Sequence, residues 1–201
     1  MKKAEIILAI LAILALIFNL NFVPGASALT VLSLSSLAVL YMYFSFALFN
    51  DVRLRNIFKK GTFTEINKMR TFGAAGAGIA LAITIIGIMF KIQLWPGAEL
   101  QLRMGLLALA FVTAIGLFKY LKEKSPFYLR VFKRAAVVGG LGLTLMFSSE
   151  TAWLEIRYRN HPEYVEAVKK ALAEPDNKEL WEKVEIERKK INNEHVEQGQ
   201  E

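Results

Sequence analysis

The ten residues FNLNFVPGAS, beginning at Phe18, return 72 residues later as FKIQLWPGAE, beginning at Phe90. Phe18 falls on Phe90, Leu20 on Ile92, Asn19 and Asn21 on Lys91 and Gln93, and Val23 on Trp95. Pro24, Gly25 and Ala26 fall on Pro96, Gly97 and Ala98. Each copy lies between two apolar runs, so the unit that recurs is a membrane hairpin with a Pro-Gly turn. Pro24, Gly25, Trp95, Pro96 and Gly97 carry the two turns.

Apolar runs cover residues 6–23, 28–49, 72–92, 100–118 and 135–147. The first four are long enough to cross about 30 Å of hydrocarbon at about 1.5 Å per residue. The fifth is shorter and must lean on Phe132 at one end or the Trp153 region at the other to cross. The expected fold class is all-α. It is a polytopic membrane helix bundle of about five spans containing two repeated helical hairpins, followed by a small C-terminal helical hairpin. Residues 1–149 form the transmembrane bundle, with hairpins at about 6–49 and 72–118 and a fifth helix at about 132–149. Residues 150–201 form an extramembrane helical tail.

Charge gives the orientation. Residues 1–149 hold sixteen Lys/Arg against five Asp/Glu, and residues 150–201 hold nine against thirteen, so a net +11 and −4 make up the chain's +7. The cations gather at Lys2 and Lys3, at Arg53, Arg55, Lys59, Lys60, Lys68 and Arg70, and at Lys119, Lys122, Lys124, Arg130, Lys133 and Arg134. By the positive-inside rule these segments are cytoplasmic, which puts both Pro-Gly turns and the tail on the periplasmic side of a bacterial inner membrane. The basic excess therefore reports topology and does not point to nucleic acid. Lys2, Lys3, the apolar run and Ala26-Ser27-Ala28 imitate a signal peptide. Cleavage there would cut inside the recurring turn, so a retained hairpin is the expected reading.

Small residues recur at four-residue spacing in Gly73 with Ala77, Ala74 with Gly78, and Ala136 with Gly140, and Gly76 lies among them. This spacing lets helix backbones approach where lipid gives no hydrophobic drive for association, within one subunit or between subunits. Lys91 ends the third run, Glu99 begins the fourth, and Arg103 follows Glu99 at i, i+4 on the same face. These three predict a polar cluster at the outer mouth, serving either to fix the turn by snorkelling and pairing or to line a path. Ser33, Ser35 and Ser36 are read as bonding their own backbone or a neighbouring helix.

The loop 50–71 reads as two short amphipathic helices lying on the inner leaflet. The first alternates Val52, Leu54, Ile57 and Phe58 with basic residues, and the second is capped by Thr64. In the tail, Pro162 opens a helix with an apolar stripe of Tyr164, Val168, Ala171 and Leu172, and Pro175 ends it. Asp176 or Asn177 then caps a second helix with Leu180, Trp181 and Val184, and residues from Ile191 on are expected to fray. A hairpin of this size holds little core of its own. Tyr164, Val168, Leu172, Leu180 and Trp181 are thus candidates for packing on each other, on the membrane or on a partner.

His161 and His195 are the chain's two histidines, neither with a second ligand at metal spacing, and there is no cysteine. No catalytic residue, metal site or cofactor is indicated, and the glycines lie in apolar helices without the strand, lysine and hydroxyl of a phosphate loop.

The run GIMFKIQLWPGAELQLRMGLLALA is similar to the helix hairpin of the GldL family of gliding-motility proteins of Bacteroidota, an apolar helix ending in Phe-Lys, a Trp-Pro-Gly-Ala turn and a second apolar helix. The resemblance runs from Phe72 to about Lys122 and rests on Lys91, Trp95, Pro96, Gly97 and Ala98. Phe18, Pro24, Gly25 and Ala26 echo it more weakly. It implies a hairpin with its turn outside, and as function the proton-driven stator of a motor coupled to type IX secretion, with a glutamate inside the second helix. That position is Leu109 here, and the family's histidine before the tryptophan is Leu94. Because a proton-driven motor needs an ionisable group at mid-membrane, the resemblance implies a shared scaffold and not the motor itself.

The expected function is a non-enzymatic inner-membrane subunit, structural or assembling, of a cell-envelope complex. Its partners would be membrane lipid and other envelope proteins or further copies of itself. The alternative is a small transporter or channel with a path past Lys91, Glu99 and Arg103.

Overall fold

The computed structural model describes residues 1–52, 55, 57, 68–148 and 151–198, and every described element of regular structure is helical. The order is α1 (Lys2–Leu20), α2 (Ala26–Phe49), α3 (Lys68–Ile92), α4 (Ala98–Glu123), α5 (Pro126–Phe147), α6 (Ala152–Arg157), α7 (Pro162–Ala173) and α8 (Lys178–Gln198). The first four are long and apolar enough to cross a membrane, making the chain a multi-pass membrane protein. In α5, the apolar stretch read from the sequence is the second half of a continuous helix. Pro126 opens it at a position where a missing N–H costs nothing, and the Ser125 hydroxyl accepts from the Phe127 N–H at 3.4 Å. Its first half carries Arg130, Lys133 and Arg134, which is why hydropathy marks only the remainder.

α3 is the central helix. Over its most apolar stretch 61% of residues are buried, against 11% for α4, because α2, α4 and α5 all pack on it. α4 turns Leu100, Met104, Leu107, Phe111 and Phe118 outward at helical spacing, a stripe suited to lipid chains. The bundle core is made of Leu34, Leu37, Tyr41, Leu81, Ile85, Ile88, Leu102, Leu109 and Val138, with Ala74, Ala77 and Ala80 letting α3 lie close to its neighbours.

The backbone contacts that need glycine are only partly those marked by spacing. A Cβ placed on Gly87 would lie 2.6 Å from Leu102 Cα, and one on Gly105 2.6 Å from Thr84 Cα, so α3 and α4 touch backbone to backbone at two levels. Gly73, Gly76 and Gly140 would meet nothing within 4 Å, and Ala136 is exposed; Ala74, Ala77 and Gly78, also singled out from spacing, are buried, and a Cβ on Gly78 would run into Ser45 and the Tyr41 carbonyl oxygen of α2. Four-residue spacing identifies a flat face but not which flat face finds a neighbour.

The two Pro-Gly turns share one backbone. Phe18 O accepts from Val23 N at 3.0 Å, and Phe90 O from Trp95 N at 2.9 Å; Asn19 O accepts from Phe22 N at 3.4 Å, and Lys91 O from Leu94 N at 3.3 Å. Gly25 and Gly97 sit at φ of 82° and 80°, a left-handed conformation that glycine adopts without steric cost. Phe22 and Leu94, at 55° and 56°, adopt it with a side chain, which costs about 1–2 kcal/mol each and is tolerated because the turn bonds on either side dictate it.

Beyond α5, a second apolar cluster joins Leu154, Tyr164, Val165, Ala171, Val184 and Ile191. Of the stripe expected from the sequence, Tyr164 and Ala171 are buried in α7 and Val168 packs against them. Val165 joins them inside, while Leu172 is 45% exposed on the flank of the helix. Trp181 is half-exposed and donates its indole N–H to Pro175 O at 2.9 Å, closing the turn instead of filling the core. α8 continues to Gln198 with Ile191 buried, so the helix does not end where the sequence turns polar. Of the short helices expected in the loop 50–71, Lys68, Met69 and Arg70 open α3, and Leu54, Phe58 and Thr64 lie outside the described residues.

Burial, with Tyr158 adding to it, pushes the Tyr164 hydroxyl from 10.0 up to about 12. A folded-state value above the unfolded one means that this group's contribution is complete below about pH 10 and is lost as pH rises towards 12. We expect the tail to loosen across that window, with the tyrosinate absorbance of Tyr164 rising later than that of a free tyrosine. Tyr164→Phe should flatten the alkaline loss, and a wild-type tail unchanged up to pH 12 would overturn this reading of Tyr164.

Candidate functional site

The turn end of the bundle gathers its polar side chains into one layer. Lys91 is 5% exposed, and its ammonium lies 3.5 Å from the Glu99 carboxylate, whose other oxygen is 3.0 Å from Arg103. The three residues singled out as an outer-mouth cluster are therefore brought together, Lys91 at the interior and Arg103 at the surface. The equivalent positions of the first hairpin are Asn19 and Ser27. The Asn19 amide, 1% exposed, donates to Ser27 Oγ at 3.2 Å. One geometry is thus used twice, once as a neutral hydrogen bond and once as an ion pair.

These two contacts are tied together. Gln93 donates to the Ser27 carbonyl at 3.2 Å, linking the turns, and Arg157 of α6 donates to Ser27 Oγ at 3.3 Å. The Arg157 guanidinium also lies over the Phe22 ring at 5.9 Å, and Phe22 meets Tyr158 edge to face at 5.2 Å. The tail is therefore seated on the first turn, the strained Phe22 being the residue that reaches it. The sequence signal for Asn19 and Ser27 was their alignment with Lys91 and Glu99; a neutral pair simply draws less notice than a charged one.

A second polar layer closes the opposite, basic end. Arg134 donates to Glu5 twice, from Nε at 2.6 Å and from Nη2 at 2.5 Å, and Tyr41 donates to the same carboxylate at 2.5 Å. The Arg134 and Glu5 side chains are 15% and 13% exposed. Next to them Lys2 lies 2.6 Å from Asp51, which is 3.4 Å from Arg130, and Arg130 donates to the Phe49 carbonyl at 2.9 Å. The Lys2 hydrogen bond, above all, holds the Asp51 carboxyl below its ordinary value, against a smaller opposing effect of burial. The basic residues here were legible as topology signals. The Glu5–Arg134 pair, which joins α1, α2 and α5, was not.

Between the layers the core is apolar. Ser33 and Thr84 return their hydroxyls to their own helices, at Thr30 O and Ala80 O. Leu109 is buried with a Cδ 3.2 Å from the place a Cβ on Gly139 would occupy, and Leu94 is partly exposed in the second turn. Among the described residues no group of three His, Cys, Asp or Glu side chains could hold a metal ion.

No curated protein and no solved structure matches the chain. Residues 76–136, which run from α3 through the Trp95-Pro96-Gly97-Ala98 turn and α4 into α5, match the GldL N-terminal domain family.

Proposed function

We propose that this chain is a non-enzymatic, GldL-like subunit of the bacterial inner membrane with a structural or assembly role in a cell-envelope complex. In this reading the bundle is a duplicated hairpin with its N-terminus cytoplasmic and its turns and tail periplasmic. The observation that carries it is the closed interior. Glu99 with Lys91 and Arg103 at one end, and Glu5 with Arg134 at the other, are paired within the chain, and the middle between them is mostly packed apolar side chains and touching backbones with a few small buried hydroxyls. A scaffold needs a fixed shape of this kind, whereas a carrier needs a polar route or a second packing. Leu109, at the position of the family's motor glutamate, adds to the argument, since an alkyl chain neither binds nor releases a proton.

Purification of the tagged full chain from native membranes in mild detergent tests the proposal. A defined envelope partner should co-purify in fixed stoichiometry, and Glu99→Gln should leave that complex intact. Recovery of a bare oligomer that drives solute flux in liposomes, with flux abolished by Glu99→Gln, would overturn the scaffold and leave the outer cluster as a path.

A further inference from the structure

At the basic end of the bundle, α3, α4 and α5 leave a cavity of about 220 Å³ between them. Gly73 and Gly76 of α3 and Gly116 of α4 line it without side chains, and Val112 and Val131 add apolar walls. Phe72 and Ile115 also line it and are largely exposed, so it opens sideways, at the level where the helices face lipid. From Arg70 at its rim to Ala77 the groove descends about 10 Å along α3. This volume is below the roughly 300–1,000 Å³ of enclosed small-molecule sites, so it suits part of a long ligand that continues into the bilayer.

The rim is cationic. Lys119 lines the cavity and has no acidic partner among the described residues. Arg70 lies over the Phe127 ring at 5.5 Å, donates to Ser125 Oγ at 3.1 Å, and has the Glu123 carboxylate only at 3.9 Å. Glu123 is further engaged by the Tyr128 hydroxyl at 3.1 Å. With Lys119 and Arg70 against the single, already engaged Glu123, the mouth keeps a surplus of positive charge beside an apolar slot.

We propose that this groove binds an anionic phospholipid, one acyl chain lying along Gly73 and Gly76 and the phosphate meeting Lys119 and Arg70. An apolar slot topped by cations at headgroup depth recognises both halves of such a lipid. A free phosphate would leave the slot uncovered, and a zwitterionic lipid would bring its own cation to a basic rim. The site is independent of the assembly role proposed above.

Native mass spectrometry of the delipidated full chain, titrated with phosphatidylglycerol or phosphatidylcholine, tests this. One phosphatidylglycerol should be retained in preference to phosphatidylcholine. Lys119→Gln should weaken retention about fivefold, the effect of one basic residue near a membrane surface, and Lys119→Arg should restore it. Gly76→Leu should abolish retention by filling the slot, since a Cβ there meets nothing within 4 Å and the helix can fold as before. Gly140→Leu, equally open but on α5 away from the groove, should bind as the unaltered chain does. Equal retention of both lipids, full retention by Gly76→Leu, or displacement by millimolar inorganic phosphate would overturn the proposal.

Discussion

Gly105→Leu is expected to be among the most damaging substitutions in the bundle, together with Gly78→Leu, whose Cβ would run into Ser45 and the Tyr41 carbonyl oxygen. A Cβ on Gly105 would fall 2.6 Å from Thr84 Cα, a contact with backbone that no rotamer relieves, and Gly87→Leu meets Leu102 Cα in the same way. Overpacking against side chains costs about 1–3 kcal/mol, and here α4 must move off α3, so at least about 3 kcal/mol is expected. For a chain of this size that corresponds to a fall of roughly 6–12 °C in the unfolding midpoint, read by circular dichroism in mild detergent. Gly140→Leu, with open space around it, should stay within about 0.5 kcal/mol of the unaltered protein. If Gly105→Leu proved as stable as Gly140→Leu, α3 and α4 would not be in backbone contact.

Arg134→Leu is expected to follow closely. Removing it leaves the Glu5 carboxylate, 13% exposed, with the Tyr41 hydroxyl as its remaining hydrogen-bond donor from another helix. Breaking a buried pair from one side costs about 3–5 kcal/mol because a charge is left without compensation. Replacing both partners removes the stranded charge, so Glu5→Leu with Arg134→Leu should recover much of the loss. A double variant as unstable as the sum of the two single ones would show that the charges do not interact.

The four hydrophobic runs, both turns and the tail hairpin were legible because each depends on local pattern: apolar length, Pro-Gly punctuation and helical spacing. Lys91, Glu99 and Arg103 could be grouped because a tight turn brings chain neighbours together. What sequence could not supply was the pairing of surfaces distant along the chain. Gly73 and Gly76 have the same spacing signature as Gly78, which touches α2, yet they line a groove, and nothing local distinguishes the two cases. Glu5 could be seen as a carboxylate near the start of an apolar run, but its partner lies 129 residues away. In the tail, Tyr164 and Ala171 were read as inner-face residues and are buried, whereas Val165 took an inner place that the stripe did not single out and Leu172 fell on the flank.

The attachment of α1 bears on the order in which the protein is made. This helix packs along its length on α2 and buries only 17% of its most apolar stretch. Beyond α2 and the Lys2–Asp51 pair, its long-range ties run from Glu5 to Arg134 at one end, and at the other from the turn that follows it, where Ser27 meets Arg157. Those ties close loops of 129 and 130 residues. Chains emerge from the ribosome N-terminus first, so α1 enters the bilayer before either anchor has been synthesised. α1 can therefore be held first by α2, through Tyr41 on Glu5 and Ser27 on Asn19, and gains its ties to α5 and α6 only when those later helices exist.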